Sequence, residues 1–145
     1  MNFLKELFFW IWQLPQNLLG LILLLFYKYE VMYMKHNGRK FYYTGEMPSG
    51  ISLGNYIILD KKNIDIDEKH EYGHSIQSRR CGPLYLLVIG LPSLCVNIWD
   101  RLFHKKWKYI EKCRWYYSRF PEKQADRLGG ADRESYIKYL KSIGY

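Results

Sequence analysis

The ten residues KHEYGHSIQS, 69 to 78, decide how this chain is read. His70 and His74 stand four apart, with Glu71 directly after the first. On a helix, positions four apart lie nearly above one another, so both imidazoles would project from one face. Neutral imidazole is a good zinc ligand, and two on a rigid helix set most of a tetrahedral site. Glu71 is rotated by about 100° from His70. Its carboxylate then stands beside such a metal, where it can take a proton from water as a general base. The competing reading is two surface histidines one helical turn apart, and a third ligand is needed to choose.

Moving outward, DKKNIDIDEKHEYGHSIQSRRCG reads as one helix, capped by Asp65 or Asp67 and stopped at Gly82-Pro83. A second helix is expected from about Pro121 to Gly129-Gly130. It carries Glu122 and, four residues on, Asp126. Both carboxylates fall on one face, as the histidines do. Glu122 can complete a His-His-Glu zinc site, and Asp126 can accept the free N–H of His70. Without the histidines, the default for this pair is a solvated face beside Lys123 and Arg127. A different zinc class would need a histidine at position 80, where this chain has Arg80.

H-E-x-x-H followed by E-x-x-x-D resembles the gluzincin metallopeptidases. Within them it is most similar to the membrane-bound group of CAAX-processing and heat-shock zinc proteases, where apolar segments also separate the two motifs. The resemblance covers residues 70 to 74 and 122 to 127, with a plausible strand at 51 to 59, and the chain is short for that group. It implies a zinc endopeptidase with His70, His74 and Glu122 as ligands and Glu71 as general base. Peptidases of this type bind substrate as an added strand on a sheet edge. GISLGNYIIL, 50 to 59, would supply that edge and put Gly54 and Asn55 near the scissile bond. The alternative for those two is an internal strand with a glycine bulge. The oxyanion donor is sought among Tyr116, Tyr117, His104 and Arg133, with Arg133 preferred.

The rest of the chain bounds this reading. Its 145 residues suit one compact domain, and 18% are aromatic, which argues against disorder. The net charge of +8 comes with two long apolar runs flanked by Lys and Arg. That arrangement suits a membrane surface, and no nucleic-acid module frames the basic residues, so no nucleic acid is expected. The three cysteines are widely spaced with no C-x-x-C pair, which fits a reducing compartment.

The first run, Leu7 to Tyr27, is long enough to span a bilayer, but QLPQN at 13 to 17 interrupts it. Two short helices fit about as well, and no small-residue cleavage site follows, so retention is expected. The second run, 83 to 99, is broken by Gly90 and Pro92 and reads as a buried hairpin or re-entrant loop. Basic residues on its flanks put its ends on the cytoplasmic side. RKFYYTGE and ISLGNYIIL read as strands joined by a turn at Met47-Pro48-Ser49-Gly50. Residues 100 to 117 read as one helix, and Asp132 caps a last helix with Tyr136, Tyr139, Leu140 and Ile143 as its apolar face.

The sequence therefore predicts a small α+β, zincin-like domain at 36 to 145, mainly helical with a short antiparallel β element and an apolar insert at 83 to 99. Residues 1 to 35 would anchor it. The expected function is a membrane-associated zinc endopeptidase with its active site facing the cytoplasm, acting on a peptide or membrane-protein substrate beside membrane lipid. The alternative is a non-enzymatic basic membrane module with a structural metal or a lipid-binding role.

Overall fold

The computed structural model describes residues 3–27, 34–36, 39–45, 49–62 and 65–145. Two short helices come first, α1 (Phe3–Trp12) and α2 (Leu14–Phe26), meeting at 87°. Strands β1 (Met34–His36), β2 (Arg39–Thr44), β3 (Ile51–Leu53) and β4 (Tyr56–Asp60) form one sheet in the order β1-β2-β4-β3. Helix α3 (Asp65–Cys81) carries KHEYGHSIQS. The remaining helices are α4 (Leu91–Phe103), α5 (Tyr109–Tyr116), α6 (Glu122–Gly129) and α7 (Arg133–Ser142). The architecture is α+β.

β4 is the central strand, and Ile57, Ile58 and Leu59 are fully buried. Strand alternation sends Tyr56 and Ile58 to one face, where Leu24 of α2 meets them. Ile57 and Leu59 go to the other, with Phe41, Tyr43 and Tyr72 of α3. The sheet is thus sandwiched between the amino-terminal helices and α3.

Five expectations change. The stretch 51 to 59 is not one strand but a tight hairpin turning at Gly54-Asn55. Gly54 sits at φ +65°, which glycine adopts without strain, and a Cβ there would collide with Asn17. The hairpin inserts β3, so β2 and β4 pair in parallel and the sheet is mixed rather than antiparallel. Of the turn expected at 47 to 50, Met47 and Pro48 lie outside the described residues.

The second apolar run is not broken. Leu86 to Phe103 is helical throughout, 18 residues long and apolar enough to cross a membrane. Pro92 is tolerated because the preceding turn, Leu86–Gly90, is a wide π turn closed by the Leu91 N–H on the Leu86 carbonyl. That extra residue moves the carbonyl that the proline ring would otherwise strike.

Residues 100 to 117 form two helices, since the chain breaks between Phe103 and Tyr109. His104 sits in that break, stacked 3.8 Å from Trp107 and edge-on to Trp115, with its Nδ1 2.9 Å from Asp100. Glu111 reaches back to the Lys108 N–H to start α5. Asp132 caps α7 through the Ser135 N–H, but the helix buries Ile137 and Leu140 while Tyr139 and Ile143 face out.

QLPQN, the polar interruption of the first run, is the elbow between α1 and α2, and Gln13, Gln16 and Asn17 are fully buried. Gln16 donates to Ser78 Oγ and the Gly82 carbonyl, and Ser78 donates to Gln13. The Asn55 N–H donates to Asn17 Oδ1 at 2.8 Å. The elbow therefore pins both amino-terminal helices to the back of α3 and to the hairpin turn.

Candidate metal centre

α3 and α6 cross at unusually close range because small residues meet there. A Cβ on Gly73 would run into the Ala125 carbonyl, and one on Gly129 into the Lys69 carbonyl. Ala125 itself is fully buried. This approach carries the start of α6 over the face of α3 that holds the histidines.

His70 Nε2 lies 3.0 Å from Glu122 Oε2, and His74 Nε2 lies 3.2 Å from the same oxygen. The two Nε2 atoms are 3.1 Å apart. All three residues are buried. The other ring nitrogens are engaged as donors: His70 Nδ1 on Asp126 Oδ1 at 2.7 Å, and His74 Nδ1 on Gln77 Oε1 at 2.7 Å. Gln77 can present only its oxygen to His74, because its amide nitrogen donates to the Pro121 carbonyl and to Gln124.

With both Nδ1 atoms protonated, both Nε2 atoms carry lone pairs, and these converge on a carboxylate oxygen. Three electron-rich atoms in a buried space repel unless a cation sits among them. Glu122 Oε1, also buried, has no partner. The residues thus fit a metal ion, and His70, His74 and Glu122 could hold one. Without a metal, a proton on His70 meets the same demand. Burial opposes charge on His70, but its bonds to Asp126 and Glu122 and the nearby carboxylates raise its pKa to about 9. Burial likewise opposes ionisation of Glu122, but the two histidines hold it well below the usual carboxylate range.

Glu71 is buried one position beyond His70, and burial raises its pKa against the pull of the two histidines. A Cβ on Gly50 would stand 2.7 Å from Glu71 Cγ, so the chain entering β3 passes directly over this carboxyl. A cavity of about 690 Å³ lies here, between the outer edge of β3, the histidines and the inner face of the helix Leu86–Phe103. Ser93 and Asn97 line it from that helix, and Tyr116 and Tyr117 from α5 and its end. Leu53 and Tyr56 close the hairpin turn, which directs Ser52's backbone groups away from β4. The Ser52 carbonyl accepts from the Tyr85 hydroxyl at 3.0 Å.

Three of the expected site residues lie elsewhere. Gly54 and Asn55 do not line the cavity; they form the hairpin turn and pack on the α1–α2 elbow. The part of the segment that passes Glu71 is Gly50 to Ser52. Arg133 does not line the cavity either. Its Nε donates to Asp126 at 3.1 Å, its Nη1 reaches Asp67, and its guanidinium lies 3.5 Å over the Tyr117 ring. It steadies the carboxylate that holds His70.

Sequence reasoning missed Gln77, the packing glycines and Tyr85. Gln77 had a local signal, since three residues after His74 on one helix is within side-chain reach. Gly73 and Gly129 had none, because a close approach depends on the partner helix. No protein-family model, curated protein or solved structure matches this chain, so the chemistry is argued from the site itself.

Proposed function

We propose that this chain is a membrane-associated zinc endopeptidase of zincin-like design. One observation carries the reading: two histidine Nε2 atoms and a Glu122 oxygen converge while the opposite ring nitrogens are tied to acceptors. A nitrogen, nitrogen, oxygen donor set with three protein ligands suits zinc and leaves a coordination position for chemistry. When bound, zinc would polarise a scissile carbonyl and acidify water.

Glu71 stands beside the ligands in the cavity, and as a carboxylate it accepts the proton of the attacking water and passes it to the leaving amine. Asp126 and Gln77 keep both histidines in the tautomer that offers Nε2. The outer edge of β3, half-buried at Gly50 and turned away from β4 at Ser52, offers the backbone groups that Tyr85 does not occupy to an extended peptide laid beside Glu71. The large exposed apolar faces of α1, α2 and Leu86–Phe103 favour a membrane setting, and the basic residues near them favour the cytoplasmic side. A substrate that is itself membrane-associated suits that position.

Zinc content of the detergent-purified protein tests the centre: about one ion per chain is expected, lost in His70→Ala and Glu122→Ala. Glu71→Gln is expected to keep the zinc and lose peptide cleavage. Zinc absent from the wild type refutes the centre. Cleavage surviving in Glu71→Gln refutes the role of Glu71.

A further inference from the structure

The helix Leu86–Phe103 is long enough to cross a bilayer, yet its neighbours in the chain forbid a crossing. α3 precedes it and α6 follows it. Those two helices touch at Gly73 and Ala125 and again at Lys69 and Gly129, so they lie on one side of any membrane. A chain that leaves one side and returns to it must cross an even number of times. Every residue between α3 and α6 is described, and Leu86–Phe103 alone among them is long and apolar enough to cross. The returning helix α5 has 8 residues. That is about 12 Å of helix against a hydrocarbon core of about 30 Å. It also carries Glu111, Lys112 and Arg114, whose charges are costly in hydrocarbon.

The amino-terminal pair has the same limitation. α1 has 10 residues and α2 has 13, bent by 87° at an elbow that is held on the body. Neither approaches the length of a span.

We propose that the protein is monotopic: α1, α2 and the outer face of Leu86–Phe103 rest in one leaflet of an anionic bilayer, and no described helix crosses it. Leu87, Leu91, Ile98 and Leu102 recur at helical spacing on that outer face and are all exposed. The opposite side presents Ser93, Asn97 and Asp100 to the metal cavity. This is a water-facing amphipathic helix turned inside out, and it places the cavity at the boundary between lipid and water. Charge selects lipid over a second copy of the chain. Arg80 precedes the helix, and Lys105, Lys106 and Lys108 follow it, all exposed. A twin docking by this face in either direction would bring basic ends together, whereas anionic headgroups attract both.

The proposal rests on membrane attachment as argued above and is independent of peptidase activity. Its test is labelling with a membrane-impermeant maleimide in sealed inverted vesicles, using Lys62→Cys and Lys105→Cys with the native cysteines replaced by alanine. Native Cys95, exposed on the outer face, is the probe of depth in a chain that keeps it alone. Both introduced cysteines are expected to label from the cytoplasmic side, and Cys95 to lose labelling until the protein is denatured. Labelling from opposite sides would overturn the one-leaflet arrangement while leaving membrane attachment standing. Cys95 reacting as fast as Lys105→Cys in intact vesicles would overturn the lipid contact. A soluble protein that shields Cys95 as a dimer would overturn both the inference and the membrane reading. Tryptophan quenching by shallow and deep lipid probes in the unmodified chain decides the lipid contact if a cysteine variant folds poorly: emission of the five tryptophans quenched by neither probe sinks the idea.

Discussion

The α3–α6 pair and the apolar helices α1 and Leu86–Phe103 reverse the usual arrangement of a folded chain. Apart from Ile66, what α3 buries is polar or glycine: His70, Glu71, Gly73, His74, Ser75, Gln77 and Ser78. α1, built almost wholly from Leu, Phe, Ile and Trp, buries nothing, and neither does α4. A buried polar surface is stable only if every group finds a partner, so the α3–α6 contact is a network of fixed geometry. An exposed apolar surface is stable only if something other than water covers it. One region is specified by directional bonds within the chain, the other by its surroundings.

That contrast can be broken most sharply at the helix crossing. Gly73→Ala forces α6 away from α3, and a cost of about 3 kcal/mol is expected from overpacking alone. Zinc should be lost with it, because Glu122 moves with α6; thermal melting and metal content read both. Gln77→Leu keeps the packing volume but removes the acceptor for His74 and the tie to Pro121. Zinc affinity should fall about 10–100-fold, measured by chelator competition, and the metal-free protein should lose about 1–3 kcal/mol because His74 Nδ1 is left unpaired and the bond to the Pro121 carbonyl is lost. An unchanged affinity would reduce Gln77 to filler.

Asn17→Ala leaves the buried Asn55 N–H without its acceptor and should cost about 1–3 kcal/mol while the zinc remains. Leu91→Gln lies at the other extreme. On the exposed apolar face it should change stability in detergent by less than about 0.5 kcal/mol and yet weaken retention in the membrane fraction. If Leu91→Gln destabilised the detergent-solubilised protein as Asn17→Ala does, the face would be an internal contact and the contrast would fail.

Much of this layout is legible along the chain. The span of α3, the start of α6 at Glu122, its glycine end and the Asp132 cap all follow from local signals that neighbouring residues supply. The misreadings share a cause. Gly54-Asn55 is itself a hairpin pair, but the apolar residues on both sides read as one continuous strand. Gly90 and Pro92 look like breaks, and the π turn that absorbs them is a backbone adjustment with no separate residue code. QLPQN left a span and two short helices equally open, because its partners Ser78, Asn55 and Gly82 lie far along the chain.

What the sequence determined by itself is therefore the set of donors and their helical phase. His70 with His74, and Glu122 with Asp126, share faces because a helix repeats every 3.6 residues. Only the tertiary structure decided that these two faces meet. It did so through Gly73, Ala125 and Gly129, whose missing side-chain bulk allows a contact that any larger residue would prevent. It also decided that Arg133 supports Asp126 rather than facing the cavity, and that the apolar helix turns its few polar residues inward. Periodicity is a property of one segment, whereas contact distance and orientation belong to pairs of segments that the order of residues does not bring together.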